Sequence, residues 1–314
     1  PFPEFKRKYI VDHRRLFGVP RSVDFQGMGK NQRRKLDQNH STFRRIWTKQ
    51  ILVTHTSCRR SDSNAPLLVP GPTNVKSWKC VGDSQIGHAH IVSAMPNQDS
   101  WQVINNKHGS GIIVCDGLGS KPHSKVGSES LCTAVSFSLN QEQVFENSHE
   151  LLTQQIQNSW FQLIDPLKAE DCSTTCLFAF HHFLSGKILL TMLGDGMAVI
   201  IKSNQQVFCY SENKSDDFSN VTQALGESTK PNDWRHDFFP VEEIHSIILM
   251  TDGLSESIDN MEFFVQRFIG SLKGLSKPSL LRRIRWMLED WQKVKYSDDK
   301  TLACMLPVEE ANGQ

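Results

Sequence analysis

Residues 187–202 read KILLTMLGDGMAVIIK: two short apolar runs, 187–193 and 197–202, on either side of Gly194-Asp195-Gly196. Both runs are rich in Ile, Leu and Val and too short for an ordinary helix. Each reads as a β-strand, and the Gly-Asp-Gly between them as a hairpin turn. The same arrangement recurs along the chain. Ile112-Ile113-Val114-Cys115 runs into Asp116-Gly117, and Ile247-Ile248-Leu249-Met250-Thr251 runs into Asp252-Gly253. A last run, 301–306, follows Asp298-Asp299. Strands are expected at 111–115, 187–193, 197–202, 245–251 and 301–306.

Between these runs lie segments of helical period. Over 150–164, Leu152, Ile156, Trp160 and Leu163 fall on one face, with Asn147 and Glu150 as a capping box and Pro166 as the stop. Over 279–291, Leu280, Ile284, Met287 and Trp291 do the same. Two more helices are expected at 129–139 and 260–272, their apolar stripes being core faces. Strands mixed with long amphipathic helices, without regular β-α-β alternation, place the chain in the α+β class.

The chain has 314 residues and is 38% hydrophobic, enough to build a packed core. No apolar run approaches the roughly 18–20 residues of a membrane-spanning helix, so no membrane partner is expected. The first residues lack the order of a secretory signal. None of the eight cysteines forms a Cys-x-x-Cys pair, and Cys172 with Cys176 has no second pair to complete a zinc site. Buried thiols in a reducing, cytoplasmic setting are expected. Net charge is +1. Residues 1–60 hold 15 Lys/Arg against 4 Asp/Glu, a net of +11, which leaves −10 for the remainder. That split predicts a basic N-terminal arm over 1–60, a linker rich in Pro, Ser and Asn over 61–76, one domain over 77–308 and a tail over 309–314. The arm has no nucleic-acid-binding motif and few interleaved aromatics, so a solvated or docking segment is expected over a nucleic-acid contact.

Chemistry concentrates at the strand ends. A buried strand fixes the carboxylate at its end, and the glycine that follows lets the backbone turn and approach a ligand closely. Carboxylates brought together repel unless a cation intervenes, and an all-oxygen set suits Mg²⁺ or Mn²⁺ rather than zinc. A single Asp-Gly is also an ordinary turn. Spacing alone leaves turn and metal site both open.

The ordered set Asn97-Gln98-Asp99, Val114-Cys115-Asp116-Gly117-Leu118-Gly119-Ser120, Ser173-Thr174-Thr175, Leu193-Gly194-Asp195-Gly196, Met250-Thr251-Asp252-Gly253-Leu254 and Ser297-Asp298-Asp299-Lys300-Thr301-Leu302 resembles the protein phosphatase 2C family, in its divergent bacterial form, over residues 80–307. The resemblance implies two stacked antiparallel β-sheets flanked by α-helices, with metal ions at one edge. It implies hydrolysis of phosphoserine and phosphothreonine in proteins by a metal-activated water, with two Mn²⁺ or Mg²⁺ ions and a third in some relatives. Asp116 would bridge the two ions, and the Gly117 carbonyl would ligate the second. Asp252 and Asp298 would complete the first, Asp99 would hold the second through water, and Asp195 would bind the third. Asp116, Asp252 and Asp298 would thus carry catalysis. No nucleophilic Ser or Cys is required.

Three departures stand out. Leu118 occupies the place where animal relatives carry a His, and Gln98 that of a frequent Glu. The segment just upstream of Asn97, Gly87-His88-Ala89-His90, has no Arg where many relatives place one to hold phosphate; His90 and Lys121 are the candidates for that role. The implied partners are a phosphorylated protein and a cognate Ser/Thr kinase, with the enzyme a monomer. The alternative is a catalytically weak phosphatase-like module that binds a partner.

Overall fold

The structure, a computed structural model, describes residues 76–141, 149–211, 223–292 and 298–308. The expected arm over 1–60, nearly all of the linker, the Asn147 cap and the tail lie outside these residues.

Among the described residues, ten strands form two five-stranded antiparallel sheets. In the first sheet the order is β1 (Trp78–Gln85), β10 (Lys300–Pro307), β9 (Ile244–Met250), β6 (Met197–Lys202), β7 (Val207–Ser211). In the second it is β2 (Ser100–Asn105), β3 (Gly109–Cys115), β4 (Cys176–His182), β5 (Lys187–Leu193), β8 (Arg235–Pro240). Helices α2 (Ser124–Ser138) and α3 (His149–Ile164) cover the second sheet. Helices α5 (Met261–Leu272) and α6 (Lys277–Gln292) cover the first. Two short helices, α1 (His88–Val92) and α4 (Asp252–Ser255), sit beside strand ends. The expected α+β architecture of two stacked sheets between helices is present.

Alternation along each strand builds the layers. Ile112 and Val114 face the other sheet, where they meet Ile247, Leu249, Ala303 and Met305. Their neighbours Ile113 and Cys115 face α2 and α3, packing with Leu131, Ile156 and Trp160. Ile248 and Met250 likewise face α5 and α6, against Val265, Phe268 and Ile284. Central strands are thus buried on both faces, which is why they read as continuous apolar runs rather than alternating ones. Trp160 is fully buried, and its indole N–H donates to the Gly127 carbonyl at 3.0 Å.

The hairpin expected at 187–202 is not formed. β5 pairs with β4 and β8 in one sheet, and β6 with β9 and β7 in the other, so Gly194-Asp195-Gly196 carries the chain across the sandwich. Both runs are apolar on both faces, so each finds partners on two sides and neither needs the other. The four long helices lie where the periodicity put them, although α2 starts five residues before the expected 129. Asn260 caps α5, its side-chain oxygen accepting from the Phe263 N–H at 2.9 Å. Strands β1, β2, β4, β7 and β8 and helices α1 and α4 were not read from the sequence. Six of the thiols, Cys80, Cys115, Cys132, Cys172, Cys176 and Cys304, are free and buried as expected, whereas Cys209 is exposed.

The crossing depends on Gly194, which has φ +96° and where an added Cβ would lie 2.6 Å from Thr175 Cγ2. Gly194→Ala is expected to cost about 1–3 kcal/mol of unfolding free energy, measured by urea denaturation. Gly186→Ala shares a positive φ but meets open space, and is expected to cost less.

Candidate metal centre

The strand ends that carry the aspartates all lie at one end of the sandwich. Ser100, just after Asp99, pairs with Cys115, just before Asp116. Cys176 pairs with Leu193, two residues before Asp195. Met250, two residues before Asp252, pairs with both Met197 and Leu302. Register therefore delivers Asp99, Asp116, Asp195, Asp252 and Asp298 to one place. The Asp116 carboxyl lies against those of Asp99 and Asp252 and within the field of Asp298. Asp252 in turn feels Asp195 and Asp298.

Each carboxylate has its own scaffold. Asp99 is buried, and its Oδ2 accepts from Thr251 Oγ1 at 2.9 Å and from Thr301 Oγ1 at 2.6 Å. One hydroxyl comes from the residue just after β9 and the other from β10, so the first sheet grips an aspartate that leads into the second. Asp116 is held through its backbone. Its N–H donates to Thr175 Oγ1 at 3.2 Å, and its carbonyl accepts from Thr175 N–H and Thr174 Oγ1, both at 2.7 Å. That assigns the Ser173-Thr174-Thr175 segment its role. Asp252 opens α4, with Thr251 at the cap position, and its Oδ1 accepts from Gly253 N–H at 2.6 Å. Gly253 must be glycine because a Cβ there would stand 2.1 Å from the Asp299 carbonyl oxygen.

Asp298 and Asp299 divide their work. Asp298 is exposed and acts on Asp116 and Asp252 through its charge. Asp299 is buried and accepts from the backbone N–H groups of Gly87 and Gln98, each at 2.6 Å. It closes the loop between β1 and β2, a function the Asp-Asp pair did not disclose. His90, on α1, has Nδ1 2.9 Å from Asp299 Oδ2, an ion-pair distance without hydrogen-bond alignment. His90, Asp298 and Asp299 bring ligand atoms within 4.8 Å of one another. Lys121 lies on the turn between Asp116 and α2, and among the described residues its ammonium has no partner in the cluster. Lys300, also missed by the sequence reading, is completely buried; its Nζ donates to the Asp298 carbonyl at 2.7 Å and lies in the field of Asp298, Asp299 and Asp99. A lysine opening an apolar strand was the available signal.

The electrostatics are those of a site that wants a cation. Burial pushes the Asp99 carboxyl up to about 7, with the Asp299 charge adding to the rise and the Thr301 and Thr251 hydroxyls opposing it. Burial also pushes Asp116 well above the ordinary carboxylate range, helped by the charges of Asp99, Asp252 and Asp298. Asp252 is raised by burial and by Asp195 and Asp298, against the pull of Asp116. Asp99 Oδ1 and Gln98 Oε1 are buried and accept from no donor. Orphaned oxygens among mutually repelling carboxylates match the hard, all-oxygen donor set of Mg²⁺ or Mn²⁺, so the residues fit such ions.

A family model described as protein phosphatase 2C matches residues 86–289. The chain belongs to the protein phosphatase 2C family. Phosphatases of the 2C family normally use divalent metal ions and act on phosphoproteins. A bacterial serine phosphatase superposes at TM-score 0.55 with 15% identity, over 76% of this chain and 100% of that one. The serine/threonine phosphatase Stp1 of Staphylococcus aureus gives 0.56 and 15%, over 75% and 97%. A sex-determining protein of C. elegans gives 0.56 and 13%, over 73% and 64%. At these identities the likeness is one of fold. No curated protein matches the chain by sequence. Among the described residues no helix is long and apolar enough to cross a membrane.

The raised carboxyls of this cluster set a pH dependence. The unfolded chain ionises them near the ordinary value of 3.8, the folded chain only higher, near 7 for Asp99. Between these values the folded, metal-free protein holds more protons, so its stability is expected to fall as pH rises from about 4 to about 7. Asp116→Asn is expected to stabilise the metal-free protein near neutral pH by on the order of 1 kcal/mol and to abolish added stabilisation by Mn²⁺. Thermal unfolding with chelator and with Mn²⁺ measures both.

Proposed function

We propose that the protein is a metal-dependent phosphatase that hydrolyses phosphoserine and phosphothreonine in protein substrates. The convergence of Asp99, Asp116, Asp195, Asp252 and Asp298 at one end of the sandwich carries this reading. Asp116, Asp252 and Asp298 would hold one Mn²⁺ or Mg²⁺, and Asp116, Asp99 and the Gly117 carbonyl a second. Asp195 would hold a third, weaker ion. Bound there, the ions would lower the pKa of a water and neutralise charge on the phosphoryl oxygens.

The chain's own residues supply position. Thr251 and Thr301 lock the Asp99 carboxylate, and Thr174 and Thr175 lock the Asp116 backbone, so neither must reorganise when charge develops. Phosphate would be oriented by His90, at the edge of the cluster, and by Lys121, on the turn after Asp116. Leu118 cannot donate a proton, so protonation of the leaving group falls to water or to His90. A thiol nucleophile is disfavoured: burial pushes the Cys115 thiol, next to Asp116, well above its usual range, so it stays protonated.

A second reading is favoured by Gln98, whose buried amide brings no negative charge where relatives carry one. In that reading the domain binds a partner and turns over weakly. The first reading carries with it a phosphorylated protein and a cognate Ser/Thr kinase as partners, a cytoplasmic setting and a monomeric enzyme whose basic residues 1–60 act as a separate arm.

Phosphate release from a phosphoserine peptide decides between the readings. Chelation should stop it and Mn²⁺ restore it, and Asp116→Asn should lower the rate by several orders of magnitude. Asp252→Asn and Asp298→Asn should be nearly as severe, whereas Asp195→Ala should keep the first two ions by calorimetry. Metal-independent or negligible turnover in the unaltered protein would favour the binding module. A chain beginning at Asn74 is expected to keep its thermal unfolding temperature and its Mn²⁺-dependent turnover of a small substrate; loss of both would make the arm part of the domain.

A further inference from the structure

Helices α5 and α6 do not close over their outer side. They leave a groove of about 600 Å³ whose floor is aromatic, built from Phe264, Phe268, Met287 and Trp291. Phe264 stacks on Phe268 and stands edge-on to Trp291. The rims carry two further aromatics that the fold does not bury: Phe263 is 58% exposed and Trp286 55%. Each has a guanidinium over its ring, Arg267 at 5.4 Å from the Phe263 centroid and Arg283 at 5.1 Å from that of Trp286. Among the described residues neither arginine has an acidic partner, and the groove's one acidic lining residue is Asp259. Exposed aromatics and arginines side by side are the composition of interface hot spots.

Charge selects the occupant. Although the chain from residue 61 onward carries a net −10, Arg267 and Arg283, without acidic partners among the described residues, form a local positive site beside the apolar floor. Position supplies the connection to chemistry. Ser257 and Ile258 line the groove and follow directly on α4, which opens with Asp252 of the metal centre, and Ser257 Oγ accepts from the Trp291 indole N–H at 2.8 Å. The groove's lining is thus joined in sequence to the carboxylate cluster by α4 and the turn after it.

We propose that this groove docks an acidic segment of the protein substrate, anchored by aromatic or aliphatic side chains on the floor and by carboxylates on Arg267 and Arg283. That the segment belongs to a substrate rests on the phosphatase reading; the docking itself does not. A fluorescein-labelled twelve-residue peptide with Phe and Leu anchors flanked by Asp and Glu serves as probe, with Lys replacing the acids in its control. Anisotropy is measured on the full chain in chelator, so that binding is read without catalysis. The acidic peptide is expected to bind and the lysine peptide not. Arg267→Glu with Arg283→Glu should exchange these preferences, at least tenfold each way. Trp286→Ala should weaken the acidic peptide at least tenfold with an unchanged unfolding temperature. With Mn²⁺, these variants should turn over p-nitrophenyl phosphate normally, while KM for a phosphoserine peptide bearing the acidic segment rises at least tenfold at constant kcat. Equal binding of both peptides, no binding, or an unchanged KM in the variants overturns the proposal. So does a concentration-dependent dimer lost in Trp286→Ala, which makes a second copy the occupant. Charge-selective binding without turnover of any phosphate ester leaves the docking site standing and overturns the phosphatase reading instead.

Discussion

Mutual repulsion among buried carboxylates is the constraint around which one end of the sandwich is organised. Asp99, Asp116 and Asp252 are all pushed up by burial and by neighbouring carboxylates, Asp299 for Asp99, Asp99, Asp252 and Asp298 for Asp116, and Asp195 and Asp298 for Asp252, so in the absence of a cation each is costly to ionise. The fold tolerates this because the surrounding groups are fixed by other means. The hydroxyls of Thr251 and Thr301 aim at Asp99, those of Thr174 and Thr175 hold the Asp116 backbone, and the ladders of two sheets set the spacing. Stability elsewhere, in three apolar layers, allows the strain to be kept here.

Neighbouring residues in this region have opposite duties. Asp298 is exposed, whereas Asp299 turns inward and accepts two backbone N–H groups, closing the loop that leads to Asp99. Lys300, next along, is buried and sets an ammonium against the acidic residues around it. Asp298 and Asp299 precede β10 and Lys300 opens it, so each is placed by its own backbone turn and hydrogen bonds rather than by strand alternation alone. A sequence shows that these residues are charged but not which surroundings each will find.

The docking groove and the metal centre share one short element. Helix α4 begins with Asp252 at the cluster, and the turn after it supplies Ser257 and Ile258 to the groove. Chemistry and recognition would thus be linked through four residues of helix, packed by Gly253 against the Asp298-Asp299 backbone. The apolar periodicity of α5 and α6 pointed to core faces, and Phe268, Leu280 and Ile284 are indeed core. Phe263 and Trp286 fall off those faces, and only the packing of the two helices shows that they flank a common groove.

Much of the fold was legible because local physics dictated it. Five apolar runs became strands, and four periodic segments became helices, since each had one way to bury its surface. Strand-end Asp-Gly pairs marked the carboxylates because a glycine after a fixed acidic residue is where backbone and ligand can approach. The partner of each strand was not legible. The runs 187–193 and 197–202 looked like a hairpin and instead belong to different sheets, because strands apolar on both faces carry no signal of which neighbour they will choose. Nor could the sequence separate Asp298 from Asp299 or find the burial of Lys300. The sequence by itself determined which residues are acidic, which runs are apolar and where the chain can turn, since these follow from side-chain chemistry and short-range backbone sterics. Only the tertiary structure decided which carboxylates meet and which become scaffold, since that depends on hydrogen bonds and burial between residues as far apart as Gly87 and Asp299.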